Sequence, residues 1–168
     1  MSVDAGARTW ALDLAAYAVE AATAAGALEA EATATVSDRF SAEAREATVV
    51  KLEQSTNRSL SVRVLLDGRK ATLSTSDLTR AGLRDLVART VDAARFVATD
   101  PFTGLPDPQP ASADDGALHL AFEDVIARES ADKLDDALSL ERIARAYDPR
   151  ITNSNGSRLA DAVPSIAL

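Results

Sequence analysis

The chain of 168 residues has no cysteine. Disulfides, a thiolate nucleophile and thiolate metal sites are therefore excluded. It has one histidine, His119. Hydrolytic zinc needs about three protein ligands and an open position for water, so His119 with Glu123 four residues on does not make such a site. Aromatic residues amount to 4%, and much of the 46% hydrophobic content is alanine. Small side chains let helix and sheet approach closely but bury little area each, so a thin core is expected. Positive charge is also short: Lys and Arg number 18 against 26 Asp and Glu, a formal net charge of −8. Such a surface repels phosphate backbones and anionic headgroups, so neither nucleic acid nor membrane is an expected partner. No run of 18 or more apolar residues occurs, so no membrane-spanning helix is expected. The alanine-rich N-terminus does not read as a signal sequence, because Asp4, Arg8, Asp13 and Glu20 interrupt every candidate apolar stretch. The expected location is the cytoplasm.

What is present is strong periodicity. From Asp4 to Ala25, Trp10, Leu14, Tyr17, Ala18, Ala21 and Ala25 recur at three- and four-residue spacing, which predicts a helix stopped by Gly26. Ala30 to Phe40 alternates, with Ala30, Ala32, Ala34 and Val36 on one side and Glu31, Thr33 and Thr35 on the other, the period of a half-buried strand. Glu43 to Gln54 reads as a second strand. Arg58 to Leu66 reads as a third, with Leu60, Val62, Val64 and Leu66 inward. Asp67-Gly68 takes positive φ readily and predicts a two-residue hairpin into a fourth strand, Arg69 to Ser74. Ser76, Asp77 or Thr79 is placed to cap a following helix, whose stripe is Leu83, Leu86, Val87, Thr90, Val91, Ala94 and Val97. The expected fold is α+β: a two-layer sandwich with an antiparallel meander of about four strands covered by two helices.

Asp100 to Pro110 then holds Pro101, Pro106, Pro108 and Pro110 with Gly104, an extended arm rather than an element. Leu118 to Arg128 suits strand or helix. Ser130 to Tyr147 predicts a further helix with Leu134, Leu138, Ile143, Ala144 and Tyr147 as its apolar positions, ended before Pro149. Ile151 to Ser154, an Asn155-Gly156 turn and a strand from Arg158 read as a hairpin. Alone it is marginal in water, and the tail looks like an interrupted domain.

Several stretches occur in a telling order: Leu60-Ser61-Val62-Arg63-Val64, Asp67-Gly68-Arg69-Lys70, Ser74 to Thr79, Ala93-Ala94-Arg95-Phe96, and Asp100-Pro101-Phe102-Thr103-Gly104-Leu105-Pro106-Asp107-Pro108. Asp148-Pro149-Arg150-Ile151-Thr152-Asn153-Ser154-Asn155-Gly156-Ser157 follows. This order resembles the N-terminal domain of the TldD/PmbA family, nearer the PmbA (TldE) branch. The resemblance implies a cytoplasmic peptidase system, named for modulating DNA gyrase inhibitors. In it a TldD-type subunit bears a His-Glu-x-x-x-His metal motif and a TldE-type subunit lacks it. An unfolded peptide is thought to thread in as an added strand. The implied organisation is an N-terminal α+β domain over 1–110, a connecting segment with a helix over 111–148, and the start of a C-terminal domain over 149–168. No residue here matches the metal motif, so no catalytic, cofactor-binding or metal-ligating residue is expected in this chain. Zinc is expected only in the catalytic partner. The implied partners are a TldD-like subunit or a second copy, and an unfolded peptide.

Other polar clusters have plain structural readings. Ser74-Thr75-Ser76-Asp77 lacks a nearby base for a serine nucleophile and suits a strand end with a helix cap. Asp114-Asp115 and Asp135-Asp136 are adjacent pairs; neighbouring helical residues point apart, and loop pairs are solvated. Two functions therefore compete. One is a non-catalytic domain of a peptidase assembly that shapes the substrate chamber and holds the partner, with Ala30–Phe40 as the candidate edge for an added peptide strand. The other is a stand-alone interaction module, an adaptor without a peptidase connection.

Overall fold

A computed structural model describes residues 5–106 and 122–167. Its elements are α1 (Ala5–Ala24), β1 (Glu29–Arg45), β2 (Thr48–Leu66), β3 (Arg69–Thr75), α2 (Arg80–Phe96), α3 (Glu123–Ile126), α4 (Ser130–Ala146) and β4 (Ser157–Ala167). The strands form one sheet in the order β3-β2-β1-β4. The fold is the expected α+β sandwich of helices on a four-stranded antiparallel sheet.

Among the described residues two compact units are present: 5–36 with 57–106 and 165–167, and 37–56 with 122–164. In the first, α1 and α2 cover the sheet. Ala11, Leu14, Ala15, Ala18 and Ala22 of α1 meet Ala32 and Ala34 of β1, Leu60, Val62 and Val64 of β2, and Leu83, Leu86, Val87, Val91 and Ala94 of α2. The α1 stripe is rotated from the expected one. Alanines sit deepest, while Trp10 is exposed at the edge with the Arg58 guanidinium 5.6 Å from its ring. Helix α1 ends as foreseen. Gly26 takes φ +97°, and the Gly26 and Ala27 amides donate back to the Thr23 and Ala22 carbonyls, closing the last turn.

Asp67 and Gly68 both adopt positive φ, and Leu66 pairs with Arg69 in the two-residue hairpin the sequence predicts. The cap of α2 is Thr79, whose hydroxyl accepts the Gly82 amide at 3.1 Å. The arm after α2 is tied to this unit at both ends. The Asp100 amide donates to the Gly68 carbonyl at 2.6 Å, and the Leu105 amide to the Glu29 carboxylate at 2.8 Å. Pro108 and Pro110 lie outside the described residues.

In the second unit Phe40, Ala42 and Ala44 of β1 pack with Leu134, Ala137 and Leu138 of α4 and Leu159 of β4. Four expectations are corrected here. The second and third strands are one 19-residue strand, β2. The gap left between them, Ser55 to Asn57, stays extended, and Thr56 bonds Asp38 of β1 at 2.5 Å. The turn before β2 is Glu46-Ala47, a pair with no glycine or asparagine to announce it. The tail is not a hairpin: 151–156 carries no strand, and β4 joins the sheet beside β1. That makes β1 an interior strand, so it is not the edge. Pro164 is consistent with β4's outer place, because proline cannot donate to a ladder on both sides. Finally, Ile143, Ala144 and Tyr147 of α4 are exposed, and its buried face carries Lys133, Ala137 and Glu141.

Thr79→Ala should lower the unfolding free energy by about 1 kcal/mol, because an orphan amide loses its acceptor, while Thr79→Ser should keep most of it. Urea denaturation of the two variants checks this.

Candidate functional site

The sequence candidates for chemistry do not converge. His119, Asp114 and Asp115 lie outside the described residues. Ser74 and Thr75 end β3, paired with Ser61 and Leu60. The Asp77 amide donates to the Thr75 hydroxyl at 3.0 Å, and the Asp77 carboxylate accepts the Thr79 amide at 3.1 Å. Bonds from Thr79 hold that carboxyl below its ordinary range. The cluster is a strand end leading to a cap. Asp135 is exposed, and Asp136 pairs with Arg128 at 2.6 Å, so the two aspartates share no site. Among the described residues no three His, Cys, Asp or Glu side chains stand close enough to hold a metal ion.

A different cluster, unforeseen from the sequence, centres on Glu141. Its side chain projects from α4 and is 3% exposed. It accepts backbone hydrogen bonds from Glu46 and Ala47, the latter at 3.4 Å, and the Ser154 hydroxyl donates to it at 2.9 Å. These donors, led by the Glu46 amide, outweigh burial and hold the carboxyl below its usual range, with Arg145 adding attraction. Glu46 and Ala47 sit at φ +53° and +57°, left-handed values that cost a non-glycine residue about 1–2 kcal/mol each. Glu141 supplies the acceptor that keeps their amides satisfied in that conformation.

The Asp148-to-Ser157 run is built around the same node. Arg150 and Asp148 form a local ion pair at 2.6 Å. Ser154 bonds Glu141 and accepts the Gly156 amide at 2.8 Å. Gly156, at φ +93°, lies where a Cβ would collide with the Ala44 carbonyl of β1. Ser157 donates to the Ala137 carbonyl. Beside it Lys133, nearly buried, pairs with Asp161 of β4 at 2.7 Å and lies 5.4 Å from the Phe40 ring. The node thus seats β4 on β1. Its signal in the sequence is the i, i+4, i+8 spacing of Lys133, Ala137 and Glu141, where polar residues take core positions.

Two concavities stand out among the described residues. In the first unit an open groove of about 620 Å³ runs past Leu12, Ala16, Val19, Ala30 and Pro106 and is mostly apolar. In the second a polar pocket of about 350 Å³ is lined by Arg45, Val50, Asn155 and Arg158. Neither brings a nucleophile to a base.

Residues 30–94 match the family described as PmbA/TldA metallopeptidase domain 1. Over this span the chain carries the first domain of the TldD/PmbA family. A curated relative, the metalloprotease PmbA homolog of Haemophilus influenzae, is 33% identical over 141 residues, covering 84% of this chain and 31% of that protein. Among solved structures, a candidate modulator of DNA gyrase from Bacteroides thetaiotaomicron superposes with TM-score 0.72 at 25% identity, over 92% of this chain and 34% of that one. TldE from Thermococcus kodakarensis superposes with TM-score 0.57 at 14% identity, over 88% of this chain and 36% of that one. The chain therefore spans about a third of the length of these TldD/PmbA relatives. No helix of the described residues is long and apolar enough to cross a membrane.

Glu141→Gln should destabilise the fold most near neutral pH. A carboxyl depressed in the folded state stabilises fully above its unfolded value, near 4.5, and loses that contribution as pH falls through the folded value. The gap between wild type and variant in urea titrations should therefore shrink on acidification below that range. Gly156→Ala should cost about 2 kcal/mol or more, since it strains φ and meets the β1 carbonyl; thermal unfolding measures it.

Proposed function

We propose that this chain is the non-catalytic N-terminal domain of a TldE/PmbA-like subunit in a cytoplasmic metallopeptidase system. It shapes the chamber that receives an unfolded peptide and contributes to the subunit interface. The observation that carries this reading is the family match, joined to a span of about a third of its relatives' length. The distribution of polar groups supports it. The buried carboxylate Glu141 holds a turn and a strand, and Asp77 and Asp136 are engaged locally, so these groups serve structure rather than hydrolysis. Zinc and its water would belong to the TldD-type partner. The open apolar groove beside Leu12, Ala30 and Pro106 suits a wall that touches extended chain without cutting it.

Mixing this chain with a TldD-type subunit at micromolar concentration should give co-elution on sizing chromatography, and a cleavable unfolded peptide should not be cut by this chain alone. Separate elution of the two proteins would contradict the reading.

A further inference from the structure

The polar pocket of the second unit gathers charge of the rarer sign. Arg45, the last residue of β1, and Arg158, near the start of β4, both line it, together with Glu43, Val50 and Asn155. Gly156 holds the two sides close: a Cβ on it would stand 3.3 Å from the Cβ of Arg45. Two arginines against one glutamate leave this lining with a single positive charge, in a chain whose net charge is −8. The fold does not consume these guanidinium groups. Arg158 uses only Nε, which donates to the Ser41 hydroxyl at 3.3 Å and lies 3.7 Å from Glu43. Among the described residues its two terminal nitrogens have no protein acceptor, and neither the Arg45 guanidinium nor the Asn155 side-chain amide has a hydrogen-bonding partner. With 26 acidic residues in the chain to choose from, two guanidinium groups that share a pocket and hold no carboxylate closely are open to an outside acceptor.

We propose that this pocket binds a monocarboxylate, its carboxylate group held between the guanidinium groups of Arg45 and Arg158 and the Asn155 side-chain amide. A guanidinium is a planar fork that meets the two oxygens of a carboxylate with parallel N–H···O bonds. The single net charge of the lining suits a singly charged group. Glu43 repels a second negative charge, which sets phosphate at a disadvantage. Val50 offers an apolar surface to the carbon chain behind the carboxylate. The volume of about 350 Å³ lies at the small end of ligand sites, which run from about 300 to 1,000 Å³, so the pocket has room for an acid the size of an amino acid. Two sources offer this chemistry: a free small acid, and the free C-terminus of a peptide. The site lies within one unit of this chain. The inference therefore does not rest on the peptidase reading, and its test needs no TldD-type subunit.

The test is an NMR titration of the isotope-labelled chain that follows the Nε–H signals of Arg45 and Arg158 and the side-chain amide of Asn155. The probes are N-acetylvaline, its amide, a tripeptide ending in valine, the same tripeptide amidated, and inorganic phosphate. N-acetylvaline should shift those signals saturably with a dissociation constant on the order of 1 mM, the strength expected of so small a ligand, and neither amide should do so. Tighter binding of the free tripeptide assigns the site to chain ends, and tighter binding of N-acetylvaline assigns it to small acids. Arg45→Gln and Arg158→Gln should each weaken binding about tenfold or more, since a charge-assisted bond is lost. Glu43→Gln should strengthen it, because the repelling charge is gone. Circular dichroism should match wild type for both arginine variants, whose side chains are exposed. No saturable shift up to about 20 mM acid, a range that still detects weak binding, would overturn the proposal. So would equal binding of acid and amide, arginine variants that bind as wild type does, or phosphate that binds more tightly than the acids.

Discussion

A buried carboxylate carries the second half of this fold. Glu141 reaches from α4 to the tip of the β1–β2 hairpin, where Glu46 and Ala47 are left-handed and lack the glycine that such turns normally use. The same side chain binds Ser154, which in turn receives the amide of Gly156. One group therefore sets where the hairpin turns, where α4 lies against β1, and where β4 enters the sheet. Altering Glu141 takes the acceptor away from the Glu46 and Ala47 amides and the Ser154 hydroxyl together, and leaving donors unpaired costs more than their bonds contribute. That asymmetry makes Glu141 a poor position to alter and explains why a helix with few large apolar residues packs at all.

The two units differ in what holds them. The first is an apolar sandwich whose alanines bring α1 close to the sheet, with the leucines and valines of β2 and α2 supplying most of the buried area. The second has a small apolar set around Phe40 and relies on polar ties: Glu141 with the turn, Lys133 with Asp161, and Ser157 with Ala137. Directional contacts of that sort specify register more tightly than they add stability.

Legibility followed the same division. Where burial was periodic and apolar, the sequence was readable: the α2 stripe from Leu83 to Ala94, the alternation of Ala30 to Ala34, and the Asp67-Gly68 hairpin all stand as expected. Where polar contacts decided the structure, it was not. Glu46-Ala47 carries no turn signature because its conformation is stabilised by a residue 94 positions away along the chain. Ser55 to Asn57 reads as a gap between two strands because its strand identity comes from pairing with β1. Ile143 and Tyr147 read as core, yet the helix buries Lys133 and Glu141 instead, since those side chains have partners waiting. The Asp148-to-Ser157 run was recognisable as a family feature, and the structure explains its chemistry: a local ion pair, a hydroxyl for Glu141, and a glycine where β1 leaves no room for a Cβ.

The most direct test of this account is amide hydrogen exchange on Glu141→Gln against wild type at neutral pH, read residue by residue. Exchange should accelerate at Glu46, Ala47 and Gly156 and along β4, while Leu60 to Leu66 and α2 keep their protection. Unchanged protection at the turn and β4, or a uniform loss across both units, would contradict the claim that one carboxylate organises the second unit.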